Sequence, residues 1–476
     1  MKRISLADVA RATGGVLEGP AGLTVADVCT DSRRMRKGAL FFALEGERYD
    51  GHAFLAEAAQ RGARAAVVRR RNPLTAGFRR GEPALPLVLV GNTLRAMGDL
   101  AAMVRADLDL EVFAVTGTTG KTCTKDFLVS CLSRRYRVTG SAGSYNNEVG
   151  IPLTIFSVKP ADEALVCEMG ARHAGDIKRL AEIAGPSRGI ITNVGAGHLE
   201  LFKTVENVAR TKAELAATLP ARGTLFVNAD DPEVRKIAKK TRARVVRFGL
   251  SRNADFRAVE GRLDAMGRPI FTLRGPGFSI GVELPATGRH QVYNALAAAA
   301  CAGDAGVSPP DIAAGLNGAE LSPWRTEVWR SPAGFMVIND AYNANPQSME
   351  AALDTLCELG CGARTVAVLG QMAELGRDSG RYHRAAGTRL ESLDVDLLVT
   401  VGRRARDYGI AALEAGMPRG SVFRCEDPAE AERLLADILE PGDVVLVKAS
   451  RLVGLEELAG RLAARDFTGE REAADV

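Results

Sequence analysis

The sequence lacks the features that mark membrane and secreted proteins. No apolar run approaches the ~18–20 residues that a membrane span needs, and residues 1–5 lead into mixed polar sequence rather than into the apolar core of a signal peptide. None of the eight cysteines forms a Cys-x-x-Cys pair, which argues against a zinc ribbon. Most of them lie in apolar runs, so we expect reduced, buried thiols and a cytoplasmic protein.

The sequence also lacks an excess of charge of either sign. With 62 basic and 58 acidic residues the net charge is +4, and no basic block is present, so we expect no nucleic-acid partner. The apolar fraction of 46% and the charged fraction of 25% are ordinary for a globular protein and exclude a disordered or fibrous chain. At ~100–200 residues per domain, the 476 residues suffice for about three domains.

Short apolar segments alternate with helical ones, which favours an α/β fold with mostly parallel sheets. The first ninety or so residues mix short strands and helices, a regular alternation begins near Glu111, and a second one begins near Gly334. We therefore predict three domains: a small mixed α/β N-terminal domain (1–91), a central P-loop-type ATPase domain with a parallel sheet (92–321) and a C-terminal Rossmann-like domain (322–476). The predicted strands are Arg64–Val68, Leu87–Val90, Glu111–Val115, Ala164–Glu168, Gly189–Asn193, Thr224–Asn228, Arg244–Phe248, Phe335–Asp340, Thr365–Leu369, Leu397–Val401, Val422–Cys425 and Val444–Lys448.

A glycine-rich loop stands between the strand at 111–115 and a helical segment. Its residues are Thr116, Gly117, Thr118, Thr119, Gly120, Lys121 and Thr122. A strand, a Gly-Lys-Thr loop and a helix are the setting of a phosphate-binding loop, in which backbone N–H groups and the helix N-terminus face the phosphates. Lys121 would reach the terminal phosphates, and Thr122 would offer a hydroxyl to Mg²⁺. Val115 replaces the first glycine of the full pattern, so an ordinary glycine turn is the alternative.

Two further strands end near residues that suit a metal site. Glu168 ends the strand at 164–168, and ligands of open α/β sheets bind at the carboxyl ends of strands. Its carboxylate could therefore hold Mg²⁺ beside the phosphates, with a solvated carboxylate as the alternative. His198 lies just beyond the strand at 189–193, where a structural or exposed histidine is the alternative because Mg²⁺ prefers oxygen ligands.

Lys212 falls on the apolar stripe of a helix predicted over 204–219. A buried, unpaired lysine is costly. The side chain could reach solvent along the helix surface. It could instead have a chemical role, because a desolvated lysine loses its charge easily and becomes nucleophilic.

Polar side chains are concentrated at the end of the strand predicted over 335–340. Asn345 and Pro346 are typical of a helix cap and first helical turn. A cap does not explain Asp340, Tyr342 and Asn343, which favours a functional segment. Residues 448–451 follow another strand and could hold an anion.

Together these segments resemble the Mur ligase family in its MurF type, and the resemblance covers nearly the whole chain. The segment 340–349 is the most specific match to this type, and the Asp-Asn-Pro-Arg-like motif of the type that adds the third residue is missing. The resemblance implies ATP-dependent ligation of D-alanyl-D-alanine to UDP-N-acetylmuramoyl-tripeptide through an acyl phosphate, with Mg²⁺, in peptidoglycan synthesis. It also implies three domains that close around the substrates, and we expect a monomer.

The resemblance assigns roles to single residues. It makes Lys121, Glu168, His198 and Lys212 the catalytic residues. The metal ligands would be Thr122, Glu168, His198 and a carbamate on Lys212. Besides the loop at 116–122, the residues for ATP are His290, Asn294, Arg325 and Asp340. The residues for the other substrates are Asp31, Ser32, Arg33, Asp50, Gly51, His52, Asn146, Asn147, Tyr342, Asn343, Asn345 and Ser348.

The sequence departs from the family pattern at three positions. Gln291 stands in place of an asparagine, Gln371 in place of an aspartate and Ala449 in place of a glycine. These changes concern the adenine and acceptor contacts rather than the class of reaction.

Two other interpretations stay open. One is a related ligase such as a folylpolyglutamate synthase, against which the segment 340–349 and the N-terminal domain argue. The other is a nucleotide-binding regulator without catalysis, against which the joint presence of Lys121, Glu168, His198 and Lys212 argues. Whether the tripeptide ends in lysine or diaminopimelate also stays open.

Overall fold

Three sheets of five or more strands follow one another along the chain. The structure is a computed structural model that describes residues 2–46, 48–78 and 85–465, and of residues 76–78 only the backbone. The first seven strands are β1 (Ile4–Ser5), β2 (Val16–Glu18), β3 (Thr24–Val25), β4 (Val28–Cys29), β5 (Leu40–Phe42), β6 (Ala65–Arg69) and β7 (Leu87–Val90). β1 and β3 pair with each other, and the other five form a mixed sheet in the order β2-β7-β6-β5-β4. The helices of this part are α1 (Leu6–Thr13), α2 (Leu55–Gln60), α3 (Pro73–Phe78) and α4 (Thr93–Ala106).

The second sheet has nine strands in the order β16-β15-β14-β13-β12-β11-β8-β10-β9. They are β8 (Glu111–Thr116), β9 (Val138–Gly140), β10 (Ala164–Glu168), β11 (Arg188–Ile191), β12 (Thr224–Asn228), β13 (Arg244–Gly249), β14 (Phe256–Leu263), β15 (Pro269–Gly275) and β16 (Phe278–Glu283). Its helices are α5 (Lys121–Leu132), α6 (Gly150–Ser157), α7 (Asp176–Ala184), α8 (Leu199–Phe202), α9 (Val205–Thr218), α10 (Pro232–Ala238), α11 (His290–Asp304) and α12 (Pro309–Asn317).

The third sheet has six strands in the order β17-β18-β22-β19-β20-β21, and only β17 runs antiparallel to its neighbour. They are β17 (Glu327–Arg330), β18 (Met336–Asn339), β19 (Thr365–Gly370), β20 (Leu397–Val401), β21 (Val422–Cys425) and β22 (Val444–Lys448). Its helices are α13 (Pro346–Leu359), α14 (Ser379–Ser392), α15 (Arg406–Ala415), α16 (Pro428–Ile438) and α17 (Leu455–Ala464).

The strands of the second sheet are buried because helices cover both of its faces. Along β8, Val112 and Ala114 pack into one core with α4, α6, α7 and α9, and Phe113 and Val115 pack into the other with α5, α11 and α12. The sequence of β8 is therefore almost continuously apolar, as is typical of parallel strands that are covered on both faces. The middle of α11, residues 295–302, is fully buried, and its small side chains let it lie close against α5.

The order of the strands places a binding crevice at the end of β8. From β8 the chain passes through α5 to β9, beyond β10 at the edge of the sheet, and from β10 it crosses to β11 on the other side of β8. Loops that leave neighbouring parallel strands in opposite directions open a crevice at their carboxyl ends. The loops after β8, β10 and β11 are those that carry Lys121, Glu168 and His198.

The α/β class and the position of each predicted strand are confirmed, with ends that differ by one or two residues. The prediction of a mostly parallel second sheet missed β15 and β16, which extend it as antiparallel strands. Buried side chains alternate with half-buried ones along most of β15, and half-buried with exposed ones along most of β16, because one face of this extension is more solvated than the other. The predicted boundaries after 91 and 321 fall between elements and remain a prediction. None of the helices in the described ranges combines the length and the apolar character needed to cross a membrane.

Candidate active site

A cleft of about 900 Å³ opens at the carboxyl ends of β8, β10 and β11 and is closed from the other side by loops of the third sheet. Eighteen residues with a sequence-predicted role line it, and they come from the second and third sheets. They are Thr118, Thr119, Gly120, Lys121, Thr122, Asn146, Asn147, Glu168, His198, Lys212, His290, Asn294, Arg325, Asp340, Tyr342, Asn343, Asn345 and Ser348. The fold therefore brings these separate motifs into one site.

The glycine-rich loop is shaped by two close approaches. Gly117 has φ of +150°, and a Cβ there would lie 1.9 Å from Thr192 Oγ1. Gly120 has φ of +76°, and a Cβ there would lie 2.2 Å from Asn294 Oδ1. Both positions require glycine for space and for backbone conformation. Lys121 begins α5, and its ammonium donates to the carbonyls of Gly117 at 3.0 Å and Thr118 at 2.9 Å.

Asn193 fixes this loop from the neighbouring strand end, a role that the sequence analysis did not assign. Its Oδ1 accepts from Thr119 N at 2.9 Å, and its Nδ2 donates to Thr119 Oγ1 at 2.8 Å. Its carbonyl accepts from Thr118 N at 3.0 Å. The signal for this residue was its place just after β11, the strand beside β8 in the parallel sheet.

Glu168 offers an unused carboxylate oxygen inside the cleft. The residue is 1% exposed, and its Oε1 accepts from Asn146 Nδ2 at 2.8 Å. Its Oε2 is buried and has no hydrogen-bond partner within the described part of the chain. A buried anionic oxygen without a partner is costly, which points to a cation as its missing partner.

Lys212 lies on α9 with 3% exposure, so the interpretation that its side chain reaches solvent is wrong. It forms no ion pair with any carboxylate in the described part of the chain. Burial lowers the pKa of Lys212 to about 7, and the nearby ammonium of Lys121 adds to this effect. A substantial share of Lys212 is therefore the neutral amine near neutral pH, and this form can react as a nucleophile.

His198 stands at a left-handed backbone position with φ of +54° just before α8. Its Nδ1 lies 2.5 Å from Glu374 Oε2, a close ion-pair contact whose angle departs from that of a hydrogen bond. The contact with His198 lowers the pKa of the Glu374 carboxyl. Glu374 belongs to the loop after β19, so a residue of the third sheet reaches a candidate metal ligand of the second.

The start of α11 lies beside the glycine-rich loop. Asn294 Oδ1 accepts from Thr124 Oγ1 at 3.3 Å, and Asn294 Nδ2 donates to Gln291 Oε1 at 2.8 Å. Gln291, one of the departures from the family pattern, therefore fixes the side chain of Asn294 from one turn away. Burial lowers the pKa of His290, which lines the same part of the cleft.

Residues of the third sheet reach across the cleft. The guanidinium of Arg325 stacks on the ring of Tyr342 at 4.1 Å, and the Tyr342 hydroxyl donates to Ser144 Oγ at 2.5 Å. Asp340 pairs with the buried ammonium of Lys448 and accepts from Thr326 N at 3.1 Å. The bond from Tyr342 to Ser144 joins the loop after β18 to the second sheet, and the two contacts of Asp340 hold this loop to neighbouring segments of the third.

Asn345 and Ser348 have a structural function beside any role in binding. They form a capping box at the start of α13, in which Ser348 N donates to Asn345 Oδ1 and Asn345 N donates to Ser348 Oγ, both at 3.0 Å. Because their polar atoms are committed to this cap, Tyr342 and Asn343 are the stronger candidates for substrate contacts.

The N-terminal candidates do not line this cleft. They are Asp31, Ser32, Arg33, Asp50, Gly51 and His52. His52 has a fully buried side chain, with Nδ1 2.6 Å from Asp50 Oδ1 and Nε2 accepting from Arg69 N at 2.8 Å. Both ring nitrogens are used, so we interpret His52 as a residue that shapes its loop rather than one that contacts a substrate. Arg33, held by Asp31 at 2.8 Å, has an 80% exposed side chain that could meet an anion.

Several other residues line the cleft without having been assigned a role from the sequence. They include Ser144, Arg172, His173, Asn193, Asn228, Gln291, Tyr293 and Gln347. Lys448, from the segment predicted to hold an anion, also lines the cleft, and its ammonium is paired with Asp340. Asn193 and Asn228 stand at the ends of parallel strands, and this position was the available signal. Gln347 gave no signal, because its importance comes from the packing of α13 on the second sheet.

Comparison with known proteins gives matches over nearly the whole chain. Residues 24–104 match the Mur ligase family catalytic domain, residues 115–302 the Mur ligase middle domain, and residues 324–451 the Mur ligase glutamate ligase domain. The three matched segments correspond to the three sheets.

Full-length relatives and solved structures agree with these matches. The chain is 40% identical to the UDP-N-acetylmuramoyl-tripeptide–D-alanyl-D-alanine ligase of Mycobacterium tuberculosis, over 92% of each chain, and 34% identical to that of Escherichia coli, over 97% and 99%. It superposes on MurF from Acinetobacter baumannii with a TM-score of 0.87 at 31% identity, over 97% and 99% of the chains. The superposition on MurF from Thermotoga maritima, solved with ADP, has a TM-score of 0.80 at 27% identity and covers 92% of this chain and 97% of the other. The chain belongs to the Mur ligase family and, within it, to the MurF type.

Proposed function

We propose that the chain joins D-alanyl-D-alanine to UDP-N-acetylmuramoyl-tripeptide and converts ATP to ADP and phosphate, in the cytoplasm. The terminal carboxylate of the tripeptide takes the γ-phosphoryl group of ATP and becomes an acyl phosphate. The amine of D-alanyl-D-alanine attacks the acyl carbon, and the tetrahedral intermediate collapses to an amide with release of phosphate. The product is the pentapeptide precursor of peptidoglycan.

The phosphates of ATP would lie on the glycine-rich loop. The N–H groups at the start of α5 point toward this position, and Lys121 stands at the first helical residue. Its ammonium now donates to two carbonyls of its own loop, so it is already held over the place where phosphate oxygens would compete for it. Adenine would lie toward His290 and Asn294, on the α11 side of the loop.

The residues of the cleft fit a magnesium ion. Glu168 Oε2 lacks a partner, and Thr122 and His198 line the same cleft. A carbamate on Lys212 would add the further anionic oxygen that a hard cation prefers. Mg²⁺, when bound there, would neutralise charge on the phosphates and on the developing acyl phosphate.

The acceptor would enter from the side of the third sheet, where Tyr342 and Asn343 line the cleft. Arg325, from the same side, would bring a cation toward the nucleotide. An acyl phosphate must be kept from water, and the approach of the third sheet to the second supplies this protection.

The single observation that carries the proposal is the convergence of Lys121, Glu168, Lys212 and Tyr342 on one cleft although they come from four separate motifs. Because the cleft is built from two sheets, we expect it to be complete only when all substrates are bound.

The test is formation of ADP by the purified protein with each substrate omitted in turn. We expect turnover only with UDP-tripeptide, D-alanyl-D-alanine, ATP and Mg²⁺ together. Trials with tripeptides that end in lysine or in diaminopimelate will show which is the substrate. Rapid ATP turnover without a UDP-substrate, or turnover with a folate in its place, would overturn the proposal.

A further inference from the structure

Glu374, in the loop after β19, contacts two loops of the second sheet at once. Its Oε2 lies 2.5 Å from His198 Nδ1, and its Oε1 lies 3.7 Å from Arg172 Nη2. Its carbonyl accepts from Glu200 N at 2.8 Å. The loops after β10 and β11, which follow Glu168 and carry His198, are therefore both held by one carboxylate of the third sheet.

The backbone at this contact is strongly constrained. His198 and Glu374 both have left-handed φ angles, of +54° and +59°, and neither is glycine. Gly376 follows with φ of +60°, and a Cβ there would lie 3.1 Å from the Cα of Glu200. Residues keep such conformations only where the surrounding structure imposes them, and they are concentrated at functional sites. The approach of Glu374 to His198 is therefore built into both loops.

The contact with the Glu374 carboxylate favours a proton on Nδ1 of His198. An oxygen and a nitrogen lone pair at 2.5 Å would repel each other, so Nδ1 must be protonated for this contact to be attractive. The neutral ring then keeps its lone pair on Nε2. Histidines that bind metals usually donate their other ring N–H to a carboxylate or carbonyl, which fixes both the tautomer and the orientation of the ring.

We propose that Glu374 is a positioning residue that holds His198 in the Nε2-ligating tautomer, so that docking of the third sheet on the second completes the metal site. This inference rests on the metal role of His198 in the proposed function. Gln347, also of the third sheet, donates to Val194 O at 3.5 Å in the same loop, so a second contact holds this loop when the two sheets approach.

Docking of the third sheet would change the affinity for the metal. The metal would be bound weakly before the third sheet docks and tightly once Glu374 has reached His198. Metal affinity and closure are then coupled, and each strengthens the other.

The experiment uses Glu374→Ala, which removes the acceptor, and Glu374→Gln, which keeps an acceptor oxygen but loses the charge. Glu426→Gln is the control, because Glu426 is an exposed carboxylate that pairs with the exposed Arg403 at 3.5 Å. Two properties are measured in the full chain with ADP: Mn²⁺ affinity by electron paramagnetic resonance, and the tautomer of His198 by NMR of protein labelled with ¹⁵N-histidine. The chain has five histidines, so a His198→Gln variant assigns the signal.

We expect Glu374→Ala to bind Mn²⁺ about 10–100-fold more weakly and to shift His198 away from its single tautomer, with a smaller effect in Glu374→Gln and none in Glu426→Gln. If Glu374→Ala does not fold, Glu374→Gln decides. Unchanged affinity and tautomer in the Glu374 variants, with weakened binding in His198→Gln, would overturn this inference alone. Unchanged Mn²⁺ affinity in His198→Gln would overturn both this inference and the metal role of His198.

Discussion

The hydroxyl of Tyr342 donates a 2.5 Å hydrogen bond to Ser144 Oγ, across 198 residues of sequence. Ser144 belongs to the loop after β9 in the second sheet, and Tyr342 follows β18 in the third. The same Tyr342 ring supports the guanidinium of Arg325. One side chain thus joins the two sheets and positions a cation at the cleft.

Tyr342→Phe should separate these two functions. The ring and its stacking on Arg325 remain, and only the hydrogen bond to Ser144 is lost, which is worth ~0.5–1.5 kcal/mol. We expect kcat/KM to fall by less than about tenfold in Tyr342→Phe and considerably more in Tyr342→Ala. Tyr136→Phe is the control, because it removes a hydroxyl bond to Ala305 O, away from the cleft. Equal losses in the Phe and Ala variants would show that the ring does not position Arg325.

Lys121→Ala should abolish turnover in a folded protein. Loss of one preorganised electrostatic contact typically lowers the rate by ~10²–10³-fold, and the ammonium of Lys121 bonds only to carbonyls of its own loop among the described residues. The measurements are kcat and the thermal unfolding temperature. Lys236→Ala, which removes an exposed ammonium on α10, is the control. Near-normal activity in folded Lys121→Ala would exclude Lys121 from the mechanism.

The contents of the cleft could be predicted from local sequence wherever a strand ends in a polar residue. Glu168 and the glycine-rich loop belong to this group, because the carboxyl ends of parallel strands meet at one edge of the sheet. Lys212 was identified because it is a lysine on the apolar face of its helix, where burial of an ammonium is costly unless the residue has a specific role. These signals lie within ten or so residues of the side chain concerned.

Contacts between the sheets gave no such signal. Glu374 and Gln347 are ordinary polar residues in loop and helix sequences, and their partners lie in another sheet. His52 gave no signal of its surroundings either: the resemblance predicts a substrate residue there, and the structure shows a buried ring that is bonded on both nitrogens. Burial of a single polar residue depends on tertiary packing, which local spacing does not encode.

Lys212 should act as a carbamate, which forms when its neutral amine adds to CO₂ with loss of a proton. Since its pKa is lowered to about 7, the neutral amine predominates above that pH and declines below it. We expect protein freed of CO₂ to lose activity and added CO₂ to restore it, about tenfold faster at pH 8 than at pH 6 when the concentration of dissolved CO₂ is the same at both. The measurement is the rate of recovery of ADP formation.

Substitutions test the same group. Lys212→Ala and Lys212→Arg should both be inactive, because neither can form a carbamate. Acetate or formate should restore part of the activity of Lys212→Ala by supplying a carboxylate. Full activity in Lys212→Arg, or no rescue of a folded Lys212→Ala, would contradict the carbamate.

His52 and Arg33 should respond differently to substitution although both come from the N-terminal candidate segments. His52→Ala leaves Arg69 N without its acceptor, and an unsatisfied buried group costs ~1–3 kcal/mol of the free energy of unfolding. Asp50 keeps its hydrogen bonds from the backbone N of residue 52 and from Asn72 Nδ2. Arg33→Ala removes an exposed side chain and should leave that free energy essentially unchanged. We expect instead that Arg33→Ala raises the KM for the UDP-substrate. Denaturant unfolding and steady-state kinetics measure the two effects, and an unchanged stability of His52→Ala would contradict its structural role.

Gly195 and Gln347 should show compensation, because a Cβ at Gly195 would lie 2.1 Å from Gln347 Oε1. The φ angle of Gly195 is not in the left-handed region, so alanine is allowed by the backbone and the conflict is with Gln347 alone. Gly195→Ala should therefore keep the second sheet folded but hinder the approach of α13, lowering kcat/KM with little change in unfolding temperature. Gln347→Ala removes the obstructing side chain and should restore part of the activity in the double variant. The cycle of four proteins gives the coupling between the two positions directly. If the decreases in kcat/KM of the two single variants simply add in the double variant, residues 195 and 347 do not interact during catalysis, and their contact contributes nothing to closure.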